Sequence, residues 1–545
     1  MSFEVTAKDI LGRIGRLRTK HGEIQTPILL PVVNPLLQPI SPAEMNRDFG
    51  CNAIITNAYL MKKNFGDEVC IRGIHDFLGF DNVIMTDSGA YQILVYGNIE
   101  TTQEEIIAYQ EAIDTDIGVI LDIPTGGDAP REKAEYSVAE TLRRARTAID
   151  TFTRKDILWV GPVQGGNHLD LISKSAKEMG KLHFSIHALG SPTQVMEQYL
   201  FSNLVDMIME AKMNLPLERP FHLFGAGHPF MFAFAVAMGC DLFDSAAYAI
   251  YAREGKYMMD YGTERLTNLK YLPCNCRICS KYTPQELCAL ETESRTEALA
   301  RHNLNVCYTE IRRVKQAICE GRLWELLEIR ARNHPSLLEA LKNLGKYKEY
   351  LEENAPIVHS RGVFYLGSTG LARPEIVRHR RKITHLASVD GKVMILLPEP
   401  GSKPFHRSKE FKRVKAALRK RLDLRLEDIA FSVFACPFGV TPLELDETFP
   451  LSQYETPSTP DDETRHNVTE EVLHFISDNV RYCKSIVVYA AGGLGEEIAR
   501  KIEENDLEGK IIVVKNERHI WSREALTILA GKVMEVFSIQ DSLNS

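Results

Sequence analysis

NVIMTDSGAYQ, residues 82–92, sets an apolar β-type run directly before an aspartate, Asp87, and a string of small residues. The same pattern recurs in NAIITNAY (52–59), IGVILDIP (117–124), ILWVGPVQGG (157–166), LHFSIHALG (182–190), PFHLFGAG (220–227) and CDLFDSAAY (240–248). Between the runs lie segments at helical spacing, such as 134–154 and 102–115, where Thr102 and Glu105 pattern as a capping box. Strand, helix, strand, repeated in this way, predicts an α/β fold on a parallel sheet. A repeat spread over roughly 250 residues favours a closed (β/α)8 TIM barrel over an open doubly wound sheet.

Polar residues stand at the ends of these runs. Asp87, Asp122, Gln164, Gly190, Gly225 and Asp244 each follow an apolar stretch, at the strand end that carries the active site in barrel enzymes. A single aspartate after a strand is ordinarily a turn residue or a helix cap. Six such positions together predict one mouth lined with chemistry. Asp87 in MTDSGAYQ and Asp244 in LFDSAAY are both followed by small residues that leave the carboxylate uncrowded. Two such carboxylates are the parts needed for glycosidic exchange with retention, one as nucleophile and one as acid/base.

The composition, 44% hydrophobic and 25% charged, is that of an ordinary globular protein. The opening MSFEVTAKDI places charges where a signal peptide needs an apolar core, so the expected location is cytoplasmic. The longest uncharged apolar stretch, Pro229 to Cys240, is too short to span a membrane and reads as a buried helix. Of eleven cysteines, Cys274, Cys276 and Cys279 fall within the run CNCRIC. Three thiolates this close predict one structural zinc ion. His302, after 22 intervening residues, is the preferred fourth ligand, with Cys288 as the alternative.

The net charge of −8 hides a basic block. Residues 361–425 hold seventeen Lys/Arg against five Asp/Glu, a local balance of +12 that leaves −20 on the rest. Such a block is either a solvated helix face, with Lys409–Arg421 the obvious example, or a surface for a polyanion. The organisation expected is a catalytic barrel over residues 1–345 with a zinc-binding insertion at about 274–302. A basic α+β domain over 356–453 follows. The polar stretch 454–467 reads as a linker, and a small α/β domain over 468–545 closes the chain.

DSGAYQ, VQGG, GSPTQ, FGAGHP, FDSAAY and the C-x-C-x2-C…H knot together resemble the tRNA-guanine transglycosylases. The stretches HSRGVFYLGSTGLARPEIVRHRR (359–381) and PFGVTPLELDETFPLSQ (437–453) resemble the archaeal, archaeosine-forming branch. The resemblance implies exchange of guanine at position 15 of the tRNA D arm for 7-cyano-7-deazaguanine (preQ0), with no ATP and no strand break. It implies Asp244 as nucleophile and Asp87 as acid/base. In the base pocket it implies Tyr91 and Phe224 sandwiching the ring, Asp122 and Gln164 reading its guanine-like edge, and Ser88, Gly190 and Ser191 closing the site. A homodimer around the zinc region is also implied. The chain's end at Ser545 leaves no room for the PUA domain that such proteins commonly carry, so a separate PUA protein is the expected partner. The rival readings are a queuine-type enzyme acting at the anticodon, a paralogue that modifies preQ0 after insertion, and a non-catalytic tRNA-binding protein.

Overall fold

Alternate residues of the NAIITNAY and NVIMTDSG runs enter two different cores, as a strand's two faces must. The structure, a computed structural model, describes all residues except 1–2, 91, 93–100, 384–388, 423–424, 505–509, 517–518 and 544–545. Its chain divides into two compact units, Met1–Pro356 and Ile357–Ser545.

The first unit opens with an antiparallel sheet of β1 (Phe3–Asp9), β2 (Gly12–Thr19) and β3 (Gly22–Thr26). Eight parallel strands follow: β4 (Ile28–Pro31), β5 (Ala53–Asn57), β6 (Val83–Asp87), β7 (Ile117–Val119), β8 (Leu158–Val163), β9 (Ile186–Leu189), β10 (Phe221–Leu223) and β11 (Leu242–Ser245). They run in the order β4-β11-β10-β9-β8-β7-β6-β5, and a parallel bridge between Val32 and Ile55 joins the two ends into a barrel. Ala53 and Ile55, Val83 and Met85, Ile117 and Val119, and Ile186 and Ala188 fill the interior as one cluster, while Ile54 and Ile84 face a second cluster outside. Both faces are covered, which is why these strands are apolar almost throughout.

Seven of the eight strands lie in the runs read from the sequence. The eighth, β4, is four residues long and follows the antiparallel sheet directly. No strand-helix rhythm precedes it to mark it out. The capping box of Thr102 and Glu105 opens the helix Gln103–Ala112, and every residue of the apolar helix Pro229–Ala237 is buried. An antiparallel hairpin, β12 (Lys256–Met259) and β13 (Gly262–Arg265), leads to the CNCRIC loop and then to the long helix Thr292–Glu320. Among the described residues no helix is long and apolar enough to cross a membrane.

The second unit differs from the expected pair of small domains. Its main sheet has the order β17-β16-β15-β19-β20. The strands are β15 (Val393–Pro398), β16 (Ile429–Ala435), β17 (Gly439–Pro442), β19 (Ser485–Ala491) and β20 (Ile511–Asn516), and the short β14 (Val363–Phe364) pairs with β18 (Tyr454–Glu455). Segments 356–453 and 468–545 therefore share one sheet, because β15 pairs with β16 on one side and β19 on the other. All six residues of β15 are buried, so it needs a neighbour on both edges. The stretch 454–467 holds β18 and the start of the helix Asp462–Asn479.

Part of the basic block is internal. Arg373 is buried beside Glu375, and Arg380 donates to the Pro437 carbonyl and Asn467. The helix Lys409–Leu422 buries Phe411, Val414 and Leu418 and exposes Lys409, Lys412, Arg413, Arg419 and Lys420.

Candidate active site and metal centre

Asp87 is the last residue of β6, in register with Asn57 at the end of β5. Its Oδ2 accepts from Asn57 Nδ2 at 3.0 Å and from the Gly89 N–H at 3.2 Å. Burial pushes the Asp87 carboxyl up to about 7, and the charges of Asp122 and Asp244 add to the rise. A carboxyl that feels both partners in this way lies near them, although they stand far from it in sequence. Burial likewise lifts Asp122 to about 6, against the pull of its hydrogen bond from Gln164.

Asp244 lies on β11, and its Oδ1 is met from β10 and the turn that follows. His222 Nε2 stands 2.9 Å away and the Gly225 N–H also 2.9 Å away. A carboxylate only accepts, so Nε2 carries the imidazole proton. His222 pairs in register with Leu242 and Ala188, both interior residues, so the ring points into the barrel.

Gln164 is held at both ends of its amide. Its Nε2 donates to Asp122 Oδ2, while its Oε1 accepts from the Thr125 N–H, the Thr125 hydroxyl and the Ser191 hydroxyl, each at 3.1 Å. Gly190 makes that amide position possible: a Cβ there would lie 2.1 Å from Gln164 Nε2. Ser191 holds a positive φ of 61° beside it. The Ser88 hydroxyl is buried with no hydrogen-bond partner among the described residues. Phe224 is half-buried just after β10, its ring 4.6 Å from that of His222. Tyr91 lies outside the described residues.

Asn57, His222 and Thr125 were not read from the sequence as site residues. Asn57 carried a usable signal, since it stands at a strand end like the others. His222 carried a weaker one, a polar residue at an inward position of an apolar run. What the arrangement offers chemically is a carboxyl that keeps its proton near neutrality beside a carboxylate held by two donors, the division of labour that acid/base chemistry needs. The Asp122–Gln164 pair adds a fixed, directional recognition surface.

At the other end of the unit's sequence, the donor atoms of Cys274, Cys276, Cys279 and His302 all lie within 4.8 Å of one another. Cys276 Sγ is 3.5 Å from Cys279 Sγ, and His302 Nδ1 is 3.3 Å from Cys279 Sγ and 3.6 Å from Cys276 Sγ. The imidazole stacks on Tyr257 at 3.7 Å, and its Nε2 lies 2.8 Å from the Met258 carbonyl. That carbonyl accepts, so Nε2 is protonated and Nδ1 turns its lone pair to the sulfurs. The donor set fits one tetrahedral metal ion with no open position. Cys288 is not in the group and packs among apolar neighbours instead.

The family profile described as queuine tRNA-ribosyltransferase matches residues 9–336, and one described as a domain of unknown function matches residues 376–533. The chain is 42% identical over 495 residues to the tRNA-guanine(15) transglycosylase of Methanobrevibacter smithii, a match covering 90% of this chain and 73% of that protein. To the protein of the same name from Methanocaldococcus jannaschii it is 42% identical over 477 residues, covering 86% and 70% respectively. For Methanococcus aeolicus the identity is 41% over 499 residues, covering 89% and 74%. Barrel, strand-end carboxylates and sequence agree: the chain belongs to the tRNA-guanine transglycosylase family and is a glycosyl-transferring enzyme.

Proposed function

We propose that this enzyme replaces guanine at position 15 of the tRNA D arm with preQ0, through a covalent intermediate on Asp244. The position follows the relatives' name, tRNA-guanine(15) transglycosylase. In the first step an Asp244 oxygen attacks ribose C1′, the C1′–N9 bond breaks, and Asp87 delivers its proton to the departing guanine. In the second the incoming base gives its N9 proton to Asp87, N9 attacks C1′, and the bond to Asp244 breaks. Two displacements at one carbon restore the configuration. The observation that carries this reading is Asp87: a carboxyl lifted to about 7 beside Asp244 can both give and take a proton at neutral pH.

The remaining assignments follow the same logic. Asp122 accepts from N1–H and the exocyclic amine of guanine or preQ0, which present the same donors there, and Gln164 holds that carboxylate in place. Ser88 Oγ offers the base a free polar atom. Phe224 stacks on the base, returning part of the few kcal/mol that turning it out of the tRNA costs, at about 1–3 kcal/mol per contact. Zinc, held by Cys274, Cys276, Cys279 and His302, ties the CNCRIC loop to the helix Thr292–Glu320 and takes no part in the exchange. The enzyme works in the cytoplasm as a homodimer. For the tRNA grip we assign the exposed face of Lys409–Leu422 and the cleft of about 790 Å³ that Arg413 and Lys420 share with Trp521 and Arg523.

The experiment is incorporation of radiolabelled guanine into unmodified tRNA transcript, with wild type beside Asp244→Ala and beside a tRNA lacking guanine at position 15. Label entering only with wild type and only at that position supports the proposal. Label entering a tRNA without that guanine would place the reaction elsewhere, and the anticodon would be the first alternative. Competition by preQ0 against queuine then decides the incoming base.

A further inference from the structure

Asp116 and Asp122 bracket β7. Asp122 faces the catalytic mouth, whereas Asp116 precedes the strand and so lies at the opposite end of the barrel. Its side chain is completely buried, and two imidazoles converge on it. His21 sits in the turn between β2 and β3, with Nδ1 at 3.0 Å and its N–H at 3.1 Å from Asp116 Oδ1. His75 belongs to the short helix Ile74–Leu78, and its Nε2 is 3.2 Å from Asp116 Oδ2. The two rings are 3.9 Å apart.

The state of His75 decides what this cluster can hold. Its Nδ1 lies 2.9 Å from the Phe80 carbonyl, which can only accept, so the neutral ring carries its proton there. Nε2 is then a buried lone pair without an aligned hydrogen bond, near a buried carboxylate oxygen that already accepts from the Ile84 N–H at 2.8 Å. A lone pair near a carboxylate is repulsive unless a proton or a metal ion stands between them, and the same geometry serves either one. The Nδ1–carbonyl bond is also the arrangement that orients metal-ligating histidines elsewhere. His21 Nδ1 stands 3.0 Å from Asp116 Oδ1 and His75 Nε2 3.2 Å from Oδ2, and one donor atom from each of the three residues lies within 4.8 Å of the others, close enough to draw in around one ion. The site opens on a cavity of about 420 Å³ lined also by Arg72, Asp76, Asp81 and Asp114, of which Asp76 pairs with Arg72 and Asp114 with Lys20 and Arg154.

We propose that His21, His75 and Asp116 form a second metal site, for a divalent transition ion of the zinc type, on the barrel end away from the active site. Two imidazoles and one carboxylate leave at least one coordination position to solvent in the cavity, in contrast to the closed Cys3His centre. Binding displaces the proton that His21 Nδ1 shares with Asp116 Oδ1. The ion ties the β2–β3 turn to the barrel floor.

The test is metal content of the untagged full chain, saturated with Zn2+ and desalted, by mass spectrometry. Two ions per chain are expected for wild type and one for His75→Ala. His21→Ala, which alters only a turn, is expected to lose the same ion while keeping guanine exchange. Loading with Co2+ separates the centres, because thiolate charge-transfer bands report the cysteine site and must persist in both variants. One ion per wild-type chain, or two in both variants, would overturn the proposal.

Discussion

His222 Nε2 stands 2.9 Å from Asp244 Oδ1 on the neighbouring strand, and the Gly225 N–H reaches the same oxygen at the same distance. Two donors on one oxygen leave Oδ2 for the attack proposed for Asp244. Asp244→Ala is expected to abolish exchange and the trapped protein–RNA adduct while tRNA affinity stays within a few-fold. His222→Ala should lower kcat by about 10²-fold with little change in KM for tRNA, as loss of an orienting donor does. Substantial turnover by Asp244→Ala would put the nucleophile elsewhere.

The rise of Asp87 from its ordinary 3.8 to about 7 has a stability cost. Between those values the folded protein keeps a proton that the unfolded chain has released, so stability falls as pH rises through that window. Asp87→Asn carries no such penalty. At ~1.4 kcal/mol per pKa unit it should be more stable than wild type by a few kcal/mol at pH 8 and by much less near pH 4, although inactive. Urea unfolding at both pH values checks this; a pH-independent difference would contradict it.

Gly190→Ala tests the recognition pair. The new methyl must displace Gln164 Nε2 from its place 2.1 Å away, breaking the donation to Asp122. The expected result is a rise of 10-fold or more in KM for the base, with the thermal unfolding of the barrel little changed.

Removing the Cys3His ion should destabilise the first unit. Cys276→Ser is expected to lose the bound metal and thermal stability together, and a strong chelator should reproduce the effect on wild type. Full stability in a metal-free protein would refute the structural role.

Charge reversal of Lys409, Lys412 and Arg413 together is expected to weaken tRNA binding and to flatten its dependence on salt. These side chains are exposed while Phe411 and Val414 hold the helix to its core, so folding should be unaffected. Unchanged binding would make the helix an ordinary solvated face.

Much of the candidate site was legible because a parallel barrel imposes one rule on every strand: apolar along its length, polar residues at its C-terminal end. That rule singled out Asp87, Asp122, Gln164, Gly190 and Asp244, and the tight spacing of Cys274, Cys276 and Cys279 was equally plain. His222 escaped it because a histidine inside PFHLF looks like any half-buried polar residue until the register with Leu242 turns it inward. The two segments of the second unit escaped it because β15 does not record in its own sequence which strands flank it.

The sequence by itself determined the local elements, the strand-end carboxylates and the thiolate cluster, since each depends on residues near one another in the chain. Only the tertiary structure decided what surrounds those residues. Closing β4 against β5 completes the barrel, and burial together with the charges of Asp122 and Asp244 raises Asp87 to the range where a carboxyl can exchange protons. His302 and Asp116 find their partners in the same way. Such shifts and contacts arise from desolvation and from charges far apart in sequence, and neither exists until the chain has closed around them.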